Sequence, residues 1–104
     1  MHGSFEVKDI FHIEGRGTVL IGTLREGVLK KGMHTTLHGD VGEVVKIDAK
    51  NDILTPASGD VSIMVSGIKK DSFSAGMTVD FFDTSDQYLV SRRYEHEISR
   101  QRYT

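Results

Sequence analysis

Glycine spacing constrains this chain more than any other feature. The run Phe11-His-Ile-Glu-Gly-Arg-Gly-Thr-Val-Leu-Ile-Gly-Thr-Leu-Arg-Glu-Gly-Val-Leu-Lys-Lys-Gly32 reads as strand, glycine hairpin, strand, glycine turn. Gly15 and Gly17 tolerate the positive φ that a tight reversal around Arg16 needs, and Gly27 and Gly32 suit the next reversal. Between them Thr18 to Ile21 is β-branched and apolar, the composition of a strand. Gly22 falls mid-strand, where a glycine marks a bulge or a close backbone approach.

The rest of the chain follows the same grammar. Phe5, Val7, Asp9, Phe11 and Ile13 occur at every second position, which predicts one half-buried strand. Arg16 to Leu24 is its return strand. Met33 to His38 and Val41 to Ala49 predict a second hairpin, turned through His38-Gly39-Asp40. Val61, Ile63 and Val65 alternate with Ser62, Met64 and Ser66 after the Ser58-Gly59-Asp60 turn. Thr78 to Phe82 supplies a last strand. Short strands punctuated by glycine turns, with a single proline, predict an all-β fold: a closed or nearly closed antiparallel β-barrel of about six strands over residues 1–83. Phe5, Phe11, Phe81 and Phe82 fall at strand positions read as core. Residues 84–104 form a C-terminal extension read as helical or partly disordered. Asp83 to Asp86 offers capping acceptors, and Val90, Tyr94 and Ile98 recur every four residues as an apolar stripe. Residues 1–4 have the look of a cloning remnant, and His2 receives no weight.

Composition narrows the function. The 104 residues make one domain with a single core, and the formal net charge is -2. That balance argues against bulk electrostatic coating of nucleic acid, which depends on neutralising many phosphates. With no cysteine there is no disulfide framework and no thiolate chemistry. No apolar run approaches the ~18 residues that span a bilayer, so no membrane partner is expected and the chain reads as soluble and cytoplasmic.

No motif for catalysis emerges. A phosphate loop of the Gly-x-x-x-x-Gly-Lys-Ser/Thr type is missing, so neither nucleotide binding nor GTP hydrolysis is expected. No serine sits in a Gly-x-Ser-x-Gly elbow. His34 and His38, four apart on a strand, would lie ~13 Å apart, too far to share a metal. No catalytic residue, metal or cofactor is expected. Asp9 and Arg16 flank the first hairpin, as an ion pair or backbone hydrogen bond holding the turn, or as a polar corner that meets a ligand. Lys30-Lys31 and Lys69-Lys70 lie at turns, with solvated lysines as the default reading and a weak RNA-facing surface as the alternative.

Over roughly residues 5–82 the chain resembles the second, β-barrel domain of translation GTPases of the elongation factor Tu type, here without the GTPase. The matching residues are Asp9-Ile10-Phe11, Ile13, Gly15-Arg16-Gly17-Thr18-Val19, Gly22, Gly27, Leu29-Lys30 and Gly32. Further on, Ala57-Ser58-Gly59-Asp60, Gly67-Ile68-Lys69-Lys70, Phe73 and Gly76 continue the match. The resemblance implies a shallow pocket on the first strand and its hairpin partner, which in the aminoacyl-tRNA carriers receives the 3′ terminal adenosine. Asp9 and Phe11 carry over. An acidic residue of the family becomes Lys8, a threonine becomes Ile21, and the polar residue after Gly-Asp has no counterpart because Asp60 runs into Val61. The segment from Val44 to Leu54 is also shorter and lacks the family's Phe-Arg/His-Lys run. These departures weigh against carriage of aminoacyl-tRNA in the family's way. Two readings remain. One is a non-enzymatic module that associates with ribosomal RNA or tRNA through Lys8, Asp9, Phe11 and Arg16, with Arg92, Arg93 and Arg100 of the extension as further contacts. The other is a protein-interaction adaptor that docks on a translation GTPase or another partner.

Overall fold

The structure, a computed structural model, describes residues 1–83. The extension, with Val90, Tyr94, Ile98 and the arginines Arg92, Arg93 and Arg100, lies outside the described residues.

Among the described residues eight strands follow one another: β1 His2–Ile13, β2 Gly17–Gly27, β3 Leu29–Lys30, β4 His34–Leu37, β5 Asp40–Ile47, β6 Ile53–Leu54, β7 Asp60–Ser66 and β8 Thr78–Phe82. Six of them close into an antiparallel barrel in the order β1-β2-β7-β5-β4-β8, and β3 pairs with β6 in a separate two-stranded sheet. The six-stranded barrel is the expected fold. Its turns use the expected residues. Arg16 N–H donates to the Ile13 carbonyl at 2.9 Å across the first reversal. His38 and Gly39 both adopt positive φ in the two-residue turn that pairs Leu37 with Asp40.

The core consists of inward side chains from β1, β2, β5, β7 and β8, including Phe5, Leu20, Leu24, Val44, Ile63, Val65 and Phe81, with Leu37 of β4 packed against it. Residues between the wall strands complete it. Leu29 and Leu54 of the small sheet are wholly buried, as are nearly so Met33, Ile68 and Phe73 in the connecting loops. Neither β3 nor β6 is legible in the sequence pattern.

One expectation fails in a consequential way. β1 does not keep a single alternation, because Val7 pairs with Gly22 while Asp9 pairs with Ile21, leaving Lys8 as the extra residue of a β-bulge. An inserted residue exchanges the two faces of a strand. Phe5 and Val7 therefore point into the barrel at 0% exposure, but Phe11 (49%) and Ile13 (39%) stand on its outside. Of the four phenylalanines read as core, Phe5 and Phe81 are buried, and Phe82 is half-buried with its ring 5.1 Å from that of His2. Phe11 is a surface residue.

The first residues are also part of the wall. Gly3 pairs with Gly27 on one side and Phe81 on the other, and the Ser4 hydroxyl donates to Asp80 Oδ1 at 2.7 Å. His2 to Ser4 thus take part in the wall of the barrel.

Candidate functional site

The bulge at Lys8 creates the surface of interest. Beyond it, β1 turns Asp9, Phe11 and Ile13 outward, where they stand beside the outward residues of β2 and β7. Register places Phe11 opposite Val19, Val19 opposite Met64, and Met64 opposite Lys46 of β5. The adjacent row runs Asp9, Ile21, Ser62, and Asp48 N–H donates to the Ser62 carbonyl at 3.0 Å. An apolar strip thus crosses three strands and ends at a lysine and an aspartate. A cavity of about 280 Å³ opens on it, lined among others by Ile13, Val19, Met64, Lys46 and Asp48.

The predicted site residues are not all gathered here. Phe11 and Asp9 share this face. The Asp9 carboxylate accepts the N–H of Ile10 at 2.8 Å, a local bond that fixes the backbone just after the bulge. Arg16 sits at the hairpin tip, beyond the Ile13–Gly17 pair, and no ion pair joins it to Asp9. Of the two structural readings, an ion pair or a backbone hydrogen bond, the structure has hydrogen bonds to backbone: Asp9 accepts the Ile10 N–H and the Arg16 N–H donates to the Ile13 carbonyl, while the two side chains sit several rungs apart along the hairpin.

Lys8 is committed elsewhere. Its ammonium donates to Asp60 Oδ1 at 2.8 Å, and the Thr23 hydroxyl donates to the same oxygen. The hydrogen bond from Lys8, followed by that from Thr23, holds the Asp60 carboxyl below its usual value. The cluster ties the bulge in β1 to the start of β7. Ile13, Val19, Met64 and Asp48 were not read as site residues from sequence. The signal available was Gly22, whose mid-strand position marks the bulge that turns β1 over.

Other polar clusters lack the geometry for catalysis. His2, Ser4 and Asp80 lie within 3.3 Å of one another, but Ser4 and Asp80 both approach the same imidazole nitrogen, Nε2. A triad needs the histidine to bridge serine and carboxylate through its two different nitrogens, and here the serine hydroxyl donates to the carboxylate itself. His34 Nε2 lies 3.4 Å from Glu43 Oε1. Among the described residues no group of three or more histidine, cysteine, aspartate or glutamate side chains is placed to hold a metal, and no helix is long and apolar enough to cross a membrane.

No protein-family model matches the chain. Individual proteins do. An elongation factor 1-alpha from Pyrobaculum arsenaticum is 33% identical over 93 residues, covering 83% of this chain and 21% of that protein. The elongation factor 1-alpha of Pyrobaculum calidifontis is 34% identical over 93 residues, with the same coverage. The chain thus spans about a fifth of the length of these curated relatives. Among solved structures, the apo form of translation elongation factor SelB from Methanococcus maripaludis superposes with a TM-score of 0.63 over 82% of this chain and 19% of that one, at 19% identity.

Proposed function

Because the chain carries a barrel of the translation-factor second-domain type, we propose that it is a cytoplasmic, non-enzymatic binding module that associates with RNA through the outer face of β1, β2 and β7. One observation carries this reading: Phe11 is 49% exposed beside Ile13 on a strip floored by Val19 and Met64, next to a cavity of about 280 Å³. A nucleobase offers two flat apolar faces and a polar edge. Exposed aromatic and aliphatic side chains on a rigid sheet receive such a face, and base–aromatic stacking contributes about 1–3 kcal/mol per base. Lys46 and Asp48 stand at the rim, where an ammonium meets a phosphate and a carboxylate accepts an exocyclic amino group. Ile21, in place of the family's threonine, widens the apolar floor and removes a hydroxyl. An unpaired base of ribosomal RNA or tRNA is the occupant this chemistry suits.

The net charge of -2 favours a second reading, in which the same apolar strip seats a protein partner. Titration of the full chain against a fluorescently labelled, unstructured RNA oligonucleotide at low salt separates the two. Saturable binding that weakens roughly tenfold in Phe11→Ala, about one base stack, is the expected result. Absence of binding, or binding indifferent to Phe11, would remove the RNA reading and leave the protein adaptor.

A further inference from the structure

A cavity of about 490 Å³ lies at the hairpin end of the barrel between β1–β2 and the segment after β7. Its walls carry His12 on one side and Lys69, Lys70 and Asp71 on the other, over a floor formed in part by Gly17, Thr18 and Gly67. We infer that this groove is a phosphate site for an RNA strand, an inference that rests on the RNA reading above and extends it to a second, separate surface.

Three observations carry it. Gly17 and Gly67 of the lining are seated against neighbouring backbone: a Cβ on Gly17 would stand 2.8 Å from the Val65 carbonyl oxygen, and one on Gly67 would overlap that of Val41, so the segments that line this end of the barrel are held at close approach. The lysine segment is anchored from inside, since Thr18, only 1% exposed, donates its hydroxyl to the Ile68 carbonyl at 3.0 Å and Ile68 is itself buried. Lys69 and Lys70 follow that anchor directly, so both ammonium groups spring from a fixed backbone. Finally, the charges are uncommitted. Lys8 and Arg25 are ion-paired to Asp60 and Glu6, whereas among the described residues Arg16, Lys69 and Lys70 form no ion pair. Among the described residues Asp71 is the one carboxylate lining the groove, leaving a net positive balance.

The groove and the apolar strip lie on opposite sides of the same hairpin. His12 and Thr18 line the groove, while their neighbours Ile13 and Val19 line the strip's cavity. Arg16 stands at the tip between them. A strand whose base rests on Phe11 reaches the groove by crossing the tip, where arginine meets its backbone.

The test measures the salt dependence of the same RNA titration for wild type, Lys69→Gln/Lys70→Gln, Lys69→Arg/Lys70→Arg and Phe11→Ala. Each lost phosphate contact on a single strand lowers the slope of log affinity against log salt by about 0.7. The glutamine variant is expected to bind several-fold more weakly with a shallower slope, the arginine variant to behave as wild type, and both to keep the wild-type melting temperature. Phe11→Ala is expected to lose affinity with its slope intact. A glutamine variant with unchanged slope overturns the phosphate groove while the Phe11 surface stands. A wild-type chain that binds no RNA overturns both.

Discussion

Gly22 lies directly under the backbone carbonyl of Glu6, so close that a Cβ at Gly22 would overlap that oxygen. Glycine is required here by this approach of two backbones and not by its own φ. The approach occurs beside the bulge at Lys8, where Val7 pairs with Gly22 and Asp9 with Ile21. Gly22→Ala must therefore part β1 from β2 or shift the bulge. It is expected to destabilise the barrel by about 1–3 kcal/mol, measured by chemical denaturation. An unchanged midpoint would show that β1 moves freely.

Phe5 and Phe11 are residues of one type on one strand with opposite environments, 0% and 49% exposed. Phe5→Ala should cost about 3–5 kcal/mol, as a core phenylalanine does. Phe11→Ala should cost at most about 1 kcal/mol, because half of its surface is already in water. Equal losses in thermal melts of the two variants would contradict the face exchange at Lys8.

Thr18 is a buried hydroxyl with one task, donation to the Ile68 carbonyl at 3.0 Å. Thr18→Val keeps the shape and leaves that carbonyl unpaired. A loss of about 1–3 kcal/mol is expected, with faster amide exchange in the Gly67–Asp71 segment. Wild-type exchange there would show that the segment is held by other contacts.

Acid should loosen the link between Lys8 and Asp60. The folded-state carboxyl of Asp60 is held below the usual 3.8, so the unfolded chain takes up its proton first. The stabilisation is complete above that usual value and is lost as pH falls through the lower folded value. Asp60→Asn should be less stable than wild type at neutral pH, with the difference shrinking below about pH 4. The effect is small, since both partners are solvent-exposed. A difference independent of pH would contradict the assignment.

Much of the barrel is legible in the sequence because its turns are set by single residues. The His38-Gly39 turn and the limits of β8 follow from glycine and from strand composition, and both are found where expected. The small sheet is not legible, because two-residue strands have no period to detect. The Lys8 bulge is hidden for a different reason. Phe5, Val7, Phe11 and Ile13 are apolar on both sides of it, so the alternation of residue type continues while the alternation of direction reverses. Period two tells which residues share a face only while register holds. For the same reason Asp9 and Phe11 are read as site residues only from the pocket that the resemblance implies, whereas Ile13, Val19 and Met64 pass as ordinary strand residues. They become a surface only once three strands are laid side by side.

The claim that RNA rests on the outer face of β1, β2 and β7 is tested most directly by nuclear magnetic resonance of the isotopically labelled full chain during titration with an unstructured RNA oligonucleotide. The account predicts saturable shifts of the Phe11 ring and of the Ile13, Val19, Ile21 and Met64 methyl groups, with the buried methyls of Leu29 and Leu54 unmoved. Spectra that do not change, or shifts that leave Phe11, Ile13 and Met64 untouched, would contradict it.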